Sequence, residues 1–332
     1  MTVTRKNWLS LAGVFCIVSG LGIAWFGLPA SPLPELNWQK MQTSKPGEAG
    51  FPSLAGHYPL EEVSKYQVQQ GETVTFSLDS VQYRHSDGEL HQALLYLPDT
   101  SAPPDTPAIT SKTLRHDLWQ AASAAILEHS QENSLFLSWW DNAQRIDFFT
   151  GRASWASAPL AAAYPHKHEQ ALWKQVAGPF GQEEAPLRQL ASWLTMDTEQ
   201  ALLDMASKLQ TDRSVYLLVC LDDLARVSEL ETLSGKKLGF EARLFAPSTD
   251  IHNQINEVKR WAGETGTGSY LVQNLPGQGV RAWRILDSET ENSLFAKLLP
   301  FTSSLAHPVA KLELVYQSGW GAYLSIFHWL GE

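Results

Sequence analysis

The longest unbroken apolar pattern lies at the start of the chain. Residues 8–28 read WLSLAGVFCIVSGLGIAWFGL, 21 positions without a charged side chain. As a helix rising about 1.5 Å per residue, this run spans about 31 Å, the thickness of a bilayer core. Trp8 and Trp25 stand near its ends, where amphipathic rings favour the membrane interface. Arg5 and Lys6 precede it, and the next basic residue is Lys40. The positive-inside rule then predicts a cytoplasmic N-terminus and an exported remainder. A cleaved signal peptide is the main alternative, but its apolar core is usually about 7–15 residues long, and Leu28-Pro29-Ala30 makes a poor cleavage site. A buried core helix is a third reading. The expectation is a single-pass inner-membrane protein, tied to the lipid bilayer through residues 8–28, with its soluble domain in the periplasm.

Beyond this run the periodicity fades. Residues 29–60 carry Pro29, Pro32, Pro34, Pro46, Pro52 and Pro59 among scattered Gly and Ser, and read as a tether. Residues 61–112 read as a β-rich segment. Positions 73–78 alternate with period two, and 81–85 meets 90–97 across Ser86-Asp87-Gly88, a hairpin turn signal. A loop with Pro103, Pro104 and Pro107 closes this segment. From 113 to 332 helical and extended patterns alternate. Helices are predicted at 114–129, 185–194, 197–209, 221–233, 249–262 and 288–298. Strands are predicted at 135–140, 145–149, 215–220, 240–245, 269–273, 280–285, 310–316 and 323–329. A loop rich in Pro and His separates 149 from 185. The expected fold class is α/β, becoming α+β at the C-terminal end: a mixed sheet with helices packed on it.

Composition narrows the function classes. A formal net charge of −10, with no basic stripe, argues against a nucleic-acid partner. The two cysteines, Cys16 in the apolar run and Cys220 in a strand, are too far apart in setting to pair. There is no C-x-x-C-H for haem attachment, no C-x-x-C zinc pair, no H-E-x-x-H, no P-loop and no G-x-S-x-G. No cofactor, no catalytic residue and no metal ligand is assigned. Residues 61–332 are expected to bind neither haem nor stoichiometric zinc.

One cluster stands out: Ser138-Trp139-Trp140-Asp141-Asn142-Ala143-Gln144-Arg145, directly after an apolar strand, with Arg152 and Trp155 soon after. Carboxyl ends of strands carry the sites of α/β folds. Trp139, Trp140, Asp141, Asn142, Gln144, Arg145 and Arg152 are therefore the candidate partner- or ligand-binding set. Stacking rings, an acid and amides suit a recognition surface. The plainer reading puts one Trp in the core and lets Asp141 pair Arg145. If 139 and 140 lie on a strand, their side chains point to opposite faces. That predicts one structural tryptophan and one functional one. Weaker candidates are Asp222 and Asp223 after the 215–220 strand, and His166 and His168 in the loop. The bland explanations are a helix dipole that favours early acids and loop histidines that sit in water.

The segment FLSWWDNAQRIDFFTGR resembles the Trp-Trp-Asp region in the exported globular domain of oligosaccharyltransferase catalytic subunits. Trp139, Trp140 and Asp141 match that family's sequon-reading motif, but Asn142-Ala143 stand where Tyr-Gly is usual. The family's many-spanning membrane part is absent. This resemblance implies a peptide- or glycan-recognition module without the transferase. In length, in its single N-terminal anchor and in the WWDNAQRI…GR and HNQINEVKRWA…GSYLVQ segments, the chain resembles the hydroxylamine oxidation protein B (HaoB) family. That resemblance implies a membrane-anchored accessory without catalysis of its own, whose partner is hydroxylamine oxidoreductase or another exported redox protein. A third reading, a metal-dependent hydrolase, would use Asp141, Asp222 and the His166/His168 loop.

Overall fold

The structure, a computed structural model, describes residues 36–48, 51–52, 54, 56–70, 73–97, 112–209, 211–248, 250–275, 279–319 and 323–331. The apolar run at 8–28 lies outside them. Among the described residues no helix is long and apolar enough to cross a membrane.

Three sheets organise the described residues. The first is an antiparallel meander of β1 (Leu36–Ser44), β2 (Leu60–Gln70), β3 (Thr73–Arg84) and β4 (Leu90–Leu95). Period-two burial sets its register: Ser64, Tyr66 and Val68 are buried, and Lys65, Gln67 and Gln69 between them are only partly covered. The stretch 29–60, expected as a tether, is therefore structured over much of its described part. Lys40 pairs with Tyr66 in the β1–β2 ladder. Further on, the His57 amide donates to the Phe148 carbonyl at 2.9 Å. Gly56 lies so close to the Phe148 ring that a Cβ there would sit 2.4 Å from it. Prolines suggested a linker, but Phe51, Leu54 and Tyr58 bury enough apolar surface to dock the segment.

The central sheet has the order β11-β12-β7-β5-β6, with β5 (Leu135–Leu137), β6 (Ala153–Ser154), β7 (Val215–Cys220), β11 (Leu312–Gln317) and β12 (Leu324–Trp329). β5 runs parallel to β6 and β7, while β12 and β11 add antiparallel neighbours. This is the mixed α/β arrangement expected from the sequence, including its antiparallel C-terminal end. The third sheet joins β8 (Phe240–Phe245), β10 (Gly279–Ile285) and β9 (Tyr270–Leu275), all antiparallel. It has a small core of its own, in which Val258 and Trp261 of a helix at Ile251–Glu264 meet Phe245 and Ala282.

Helix α1 (Lys112–His129) buries Leu118, Trp119, Ala122 and Ile126, much of the face its pattern predicts. Helix α2 (Trp140–Thr150) replaces the strand expected at 145–149, and β5 ends at Leu137. Every residue of α2 except Asp147 is buried. A helix covered on all sides buries polar residues (Asp141, Asn142, Gln144, Arg145) along with apolar ones, so its 3.6-residue rhythm does not show in the sequence. Residues 167–177, expected in a loop, form α3 (Lys167–Ala177), which buries Leu172, Trp173 and Val176. The stretch 221–233 begins as a 3-10 turn (Leu221–Arg226) and becomes α-helical only at Val227–Ser234. The helix expected at 288–298 is broken at Ser293, whose hydroxyl accepts from the Ala296 amide and caps the second half.

Candidate functional site

The cluster at the end of β5 closes on itself. Trp139 and Trp140 are both in the core, 2% and 0% exposed. They do not straddle a strand, because the chain turns into α2 between them. Both indole N–H groups donate to Oε2 of Glu229, each at 3.0 Å. The expected division into one structural and one surface tryptophan is thus corrected.

Polar neighbours complete the network. Asp141 Oδ2 accepts from both terminal nitrogens of Arg145 at 3.3 Å and lies 3.6 Å from Arg226. Arg226 donates to Glu229 Oε1 at 2.8 Å, and its guanidinium lies over the Trp140 and Trp173 rings at 5.2 and 4.6 Å. Arg145 also donates to Asn142 Oδ1 at 2.8 Å and sits 4.7 Å over the Tyr96 ring. Two buried arginines face the two carboxylates Asp141 and Glu229, so formal charge balances without help from solvent.

Asp223 adds a third carboxyl to this interior. It accepts from the Cys220 amide at 2.8 Å and from the Asn142 side-chain amide at 2.8 Å. Burial, and then the nearby charge of Asp141, push its pKa up to about 7. The same burial, with Asp223 and Asp222 close by, pushes the Cys220 thiol well up, which makes it a packing cysteine rather than a nucleophile.

Each remaining candidate also has a structural task. Gln144 accepts from the Leu94 amide at 3.2 Å and donates to the carbonyls of Ser157 and Ala177, joining β4, a loop and the end of α3. Arg152 donates to the Ser130 hydroxyl and carbonyl, both at 3.2 Å, where α1 ends. Gly151, at φ +65°, provides the left-handed turn that stops α2. Asp222 is held by Arg115 and by the hydroxyls of Tyr96 and Tyr323. Its burial works against ionisation, but Arg115 and the hydroxyl donors outweigh that and lower its pKa. His166 and His168 stack on each other at 5.4 Å at the start of α3. The hydrolase reading loses its ligands here, since Asp141 and Asp222 are engaged by arginines. The hollow beside Trp139, Leu194 and Asp223 holds only about 10 Å³, room for about one water. The recognition surface expected here is a packed interior.

A second constellation went unread in the sequence. Among the described residues, one group of His, Cys, Asp or Glu side chains is tight enough for an ion: His85, Asp87 and His91, whose ligand atoms lie within 4.8 Å of one another. The β3–β4 register pairs Tyr83 with His91, and the His85 amide donates to the Glu89 carbonyl. His85 and His91 are therefore diagonal neighbours on one face of the hairpin. Their rings stack 4.5 Å apart at 9°. Asp87 Oδ2 lies 3.3 Å from His85 Nδ1 and 3.7 Å from His91 Nε2. On the far side of the rings Asp147 of α2 stands 3.6 Å from His85 Nε2 and 3.8 Å from His91 Nδ1. The signal was His85-x-Asp87-x-x-x-His91 across an Asp-Gly turn, where the turn explained Asp87 and hid the ligand spacing.

Comparison with known proteins returns solved structures at low similarity and one family. The C-terminal globular domain of an oligosaccharyltransferase from Archaeoglobus fulgidus is 12% identical, with a TM-score of 0.32, over 64% of this chain and 96% of that one. The C-terminal domain of C. jejuni PglB is likewise 12% identical, with a TM-score of 0.35, over 63% of this chain and 98% of that one. No curated protein matches the sequence. The model of one family, described as HaoA-associated protein HaoB, matches residues 5–329. Because that match runs through nearly all of its 332 residues, the chain belongs to the HaoB family of HaoA-associated proteins.

Proposed function

We propose that this chain is an accessory protein of hydroxylamine oxidation, which docks or assists a multihaem oxidoreductase and carries out no reaction of its own. The observation that carries this reading is the family match from residue 5 to residue 329, to proteins described by their association with HaoA. The site geometry supports a scaffold: Trp139 and Trp140 are tied to Glu229, Asp141 is paired with Arg145, and the hollow beside Trp139 has room for only about one water. A peptide- or glycan-reading role would need these tryptophans at a surface, and both are buried. Residues 8–28 supply the anchor in this reading, with Arg5 and Lys6 kept in the cytoplasm and the folded part in the periplasm.

The test uses the full chain in its own membranes. After mild crosslinking, capture of the chain should bring down a polypeptide with covalent haem, seen by its Soret band and by haem staining. A reporter that works only in the cytoplasm, fused after Glu332, should stay silent. Crosslinked complexes without any haem protein overturn the docking role, and an active reporter overturns the topology.

A further inference from the structure

We propose that the tip of the β3–β4 hairpin is a binding site for one borderline divalent transition-metal ion of the Zn²⁺ class, held by His85 Nδ1, His91 Nε2 and Asp87 Oδ2. This site is independent of the accessory role and needs no redox partner. It departs from the expectation of a zinc-free domain, which rested on the absence of familiar Cys/His spacings.

The ligand chemistry selects the ion class. Two imidazoles and one carboxylate suit zinc and its neighbours, whereas calcium and magnesium prefer oxygen cages. The distances are close to what an ion needs. Ligand atoms around a tetrahedral zinc lie roughly 3.3 Å apart, from bonds of about 2.0–2.1 Å. Asp87 Oδ2 is already 3.3 and 3.7 Å from the two ring nitrogens that face it. The two rings are stacked at 9°, and ring lone pairs lie in the ring plane, so ion binding requires the histidines to turn out of the stack until both nitrogens converge beside Asp87.

The surroundings are those of a supported metal site. A ligating histidine usually presents its second ring nitrogen to a carboxylate, which fixes the ring and raises its basicity. Asp147 lies beside the second nitrogen of both rings, and Tyr83 donates to Asp147 Oδ2 at 2.5 Å. Tyr58 Oη lies 2.9 Å from His85 Nε2, and its ring meets the His85 ring at 4.6 Å. Asp147 is the one residue of α2 that is not buried, so the helix that builds the closed core also presents a carboxylate to this hairpin. Three protein ligands leave at least one coordination position open. The Asp87 side chain is 50% exposed and that of His91 37%, so the open position faces solvent.

The test is a metal titration of the untagged full chain in detergent, stripped with chelator and then dialysed against micromolar free Zn²⁺. Elemental analysis should find one zinc per chain, and Co²⁺ in its place should give visible d–d bands. Zn²⁺ should raise the midpoint of thermal unfolding. His91→Gln and His85→Gln should each weaken binding at least tenfold and abolish the thermal shift. The metal-free variants should keep the circular dichroism of the parent, and any fall in melting temperature from the lost Tyr58–His85 contact is measured without zinc and subtracted. A double variant His166→Gln/His168→Gln should bind like the parent. The proposal is overturned if zinc washes out to well below one per chain. It is equally overturned if His85→Gln and His91→Gln bind normally, or if the His166/His168 variant alone loses the ion.

Discussion

The most exposed consequence of the buried network is its pH dependence, and Asp223→Asn tests it. In the folded chain Asp223 holds its proton up to about pH 7, while a free aspartate loses it near 3.8. Between those values the folded state binds one more proton than the unfolded state, so stability falls as pH rises. The contribution is complete below about pH 4 and is lost as pH passes through 7. Each pH unit spent fully inside the window costs about 1.4 kcal/mol. From pH 5 to pH 8 the parent should therefore lose about 2–3 kcal/mol of stability that a non-titrating residue keeps. Asparagine has the same shape and no charge. Its amide nitrogen, however, must face either the Asn142 amide or the Cys220 amide, both of which donate to Asp223. The variant therefore carries a fixed cost of about 1–3 kcal/mol for a mismatched donor. The difference in slope between the two proteins isolates Asp223, because all other titrations are shared. The assay is urea unfolding followed by tryptophan fluorescence at half-unit pH steps. Parallel stability curves, with a gap constant to about 0.5 kcal/mol from pH 5 to pH 8, would refute the buried, proton-holding Asp223.

Trp139→Phe and Trp140→Phe should each destabilise by about 1–3 kcal/mol, since each removes one of two indole donors to Glu229; chemical denaturation of both reads this, and a neutral result at either position would restore the split between a structural and a surface ring. Gly56→Ala should cost about 1–3 kcal/mol, because its new methyl meets the Phe148 ring; a variant as stable as the parent would mean that the segment before β2 is a free tether after all.

Much of the fold could be read from the sequence where one physical rule dominates. Val215–Cys220 is apolar at nearly every position and forms a fully buried strand, as parallel central strands do. The Asp87-Gly88 turn set the hairpin, with Gly88 at φ +84°. Other elements depended on distant partners. Residues 145–149 read as extended because Ile146, Phe148 and Phe149 sit close together. Their helix is held in part by distant neighbours: Tyr83, Gly56 and His57 all pack on or bond to Phe148, and no local pattern encodes that enclosure. The candidate site was found in part. Trp139, Trp140, Asp141, Asn142 and Arg145 do form one constellation, but Arg226 and Glu229, far along the chain, convert it from a surface into an interior. A sequence shows that these side chains are unusual together and is silent on whether solvent reaches them. His85, Asp87 and His91 were missed for the opposite reason: each had a sufficient local explanation.

The all-round enclosure of the segment from Trp139 to Thr150 has an evolutionary reading. Nearly every side chain there has a neighbour whose own position depends on it, so few substitutions will be tolerated. A saturation scan would score this stretch as harshly as an active site on packing grounds alone. Descendants of one ancestral chain would keep these letters long after their partners, ligands and reactions had diverged. The segment is therefore a good marker of descent and a poor guide to activity. Features that distinguish one member's work from another's belong on parts that are free to vary, such as the exposed tip of the β3–β4 hairpin.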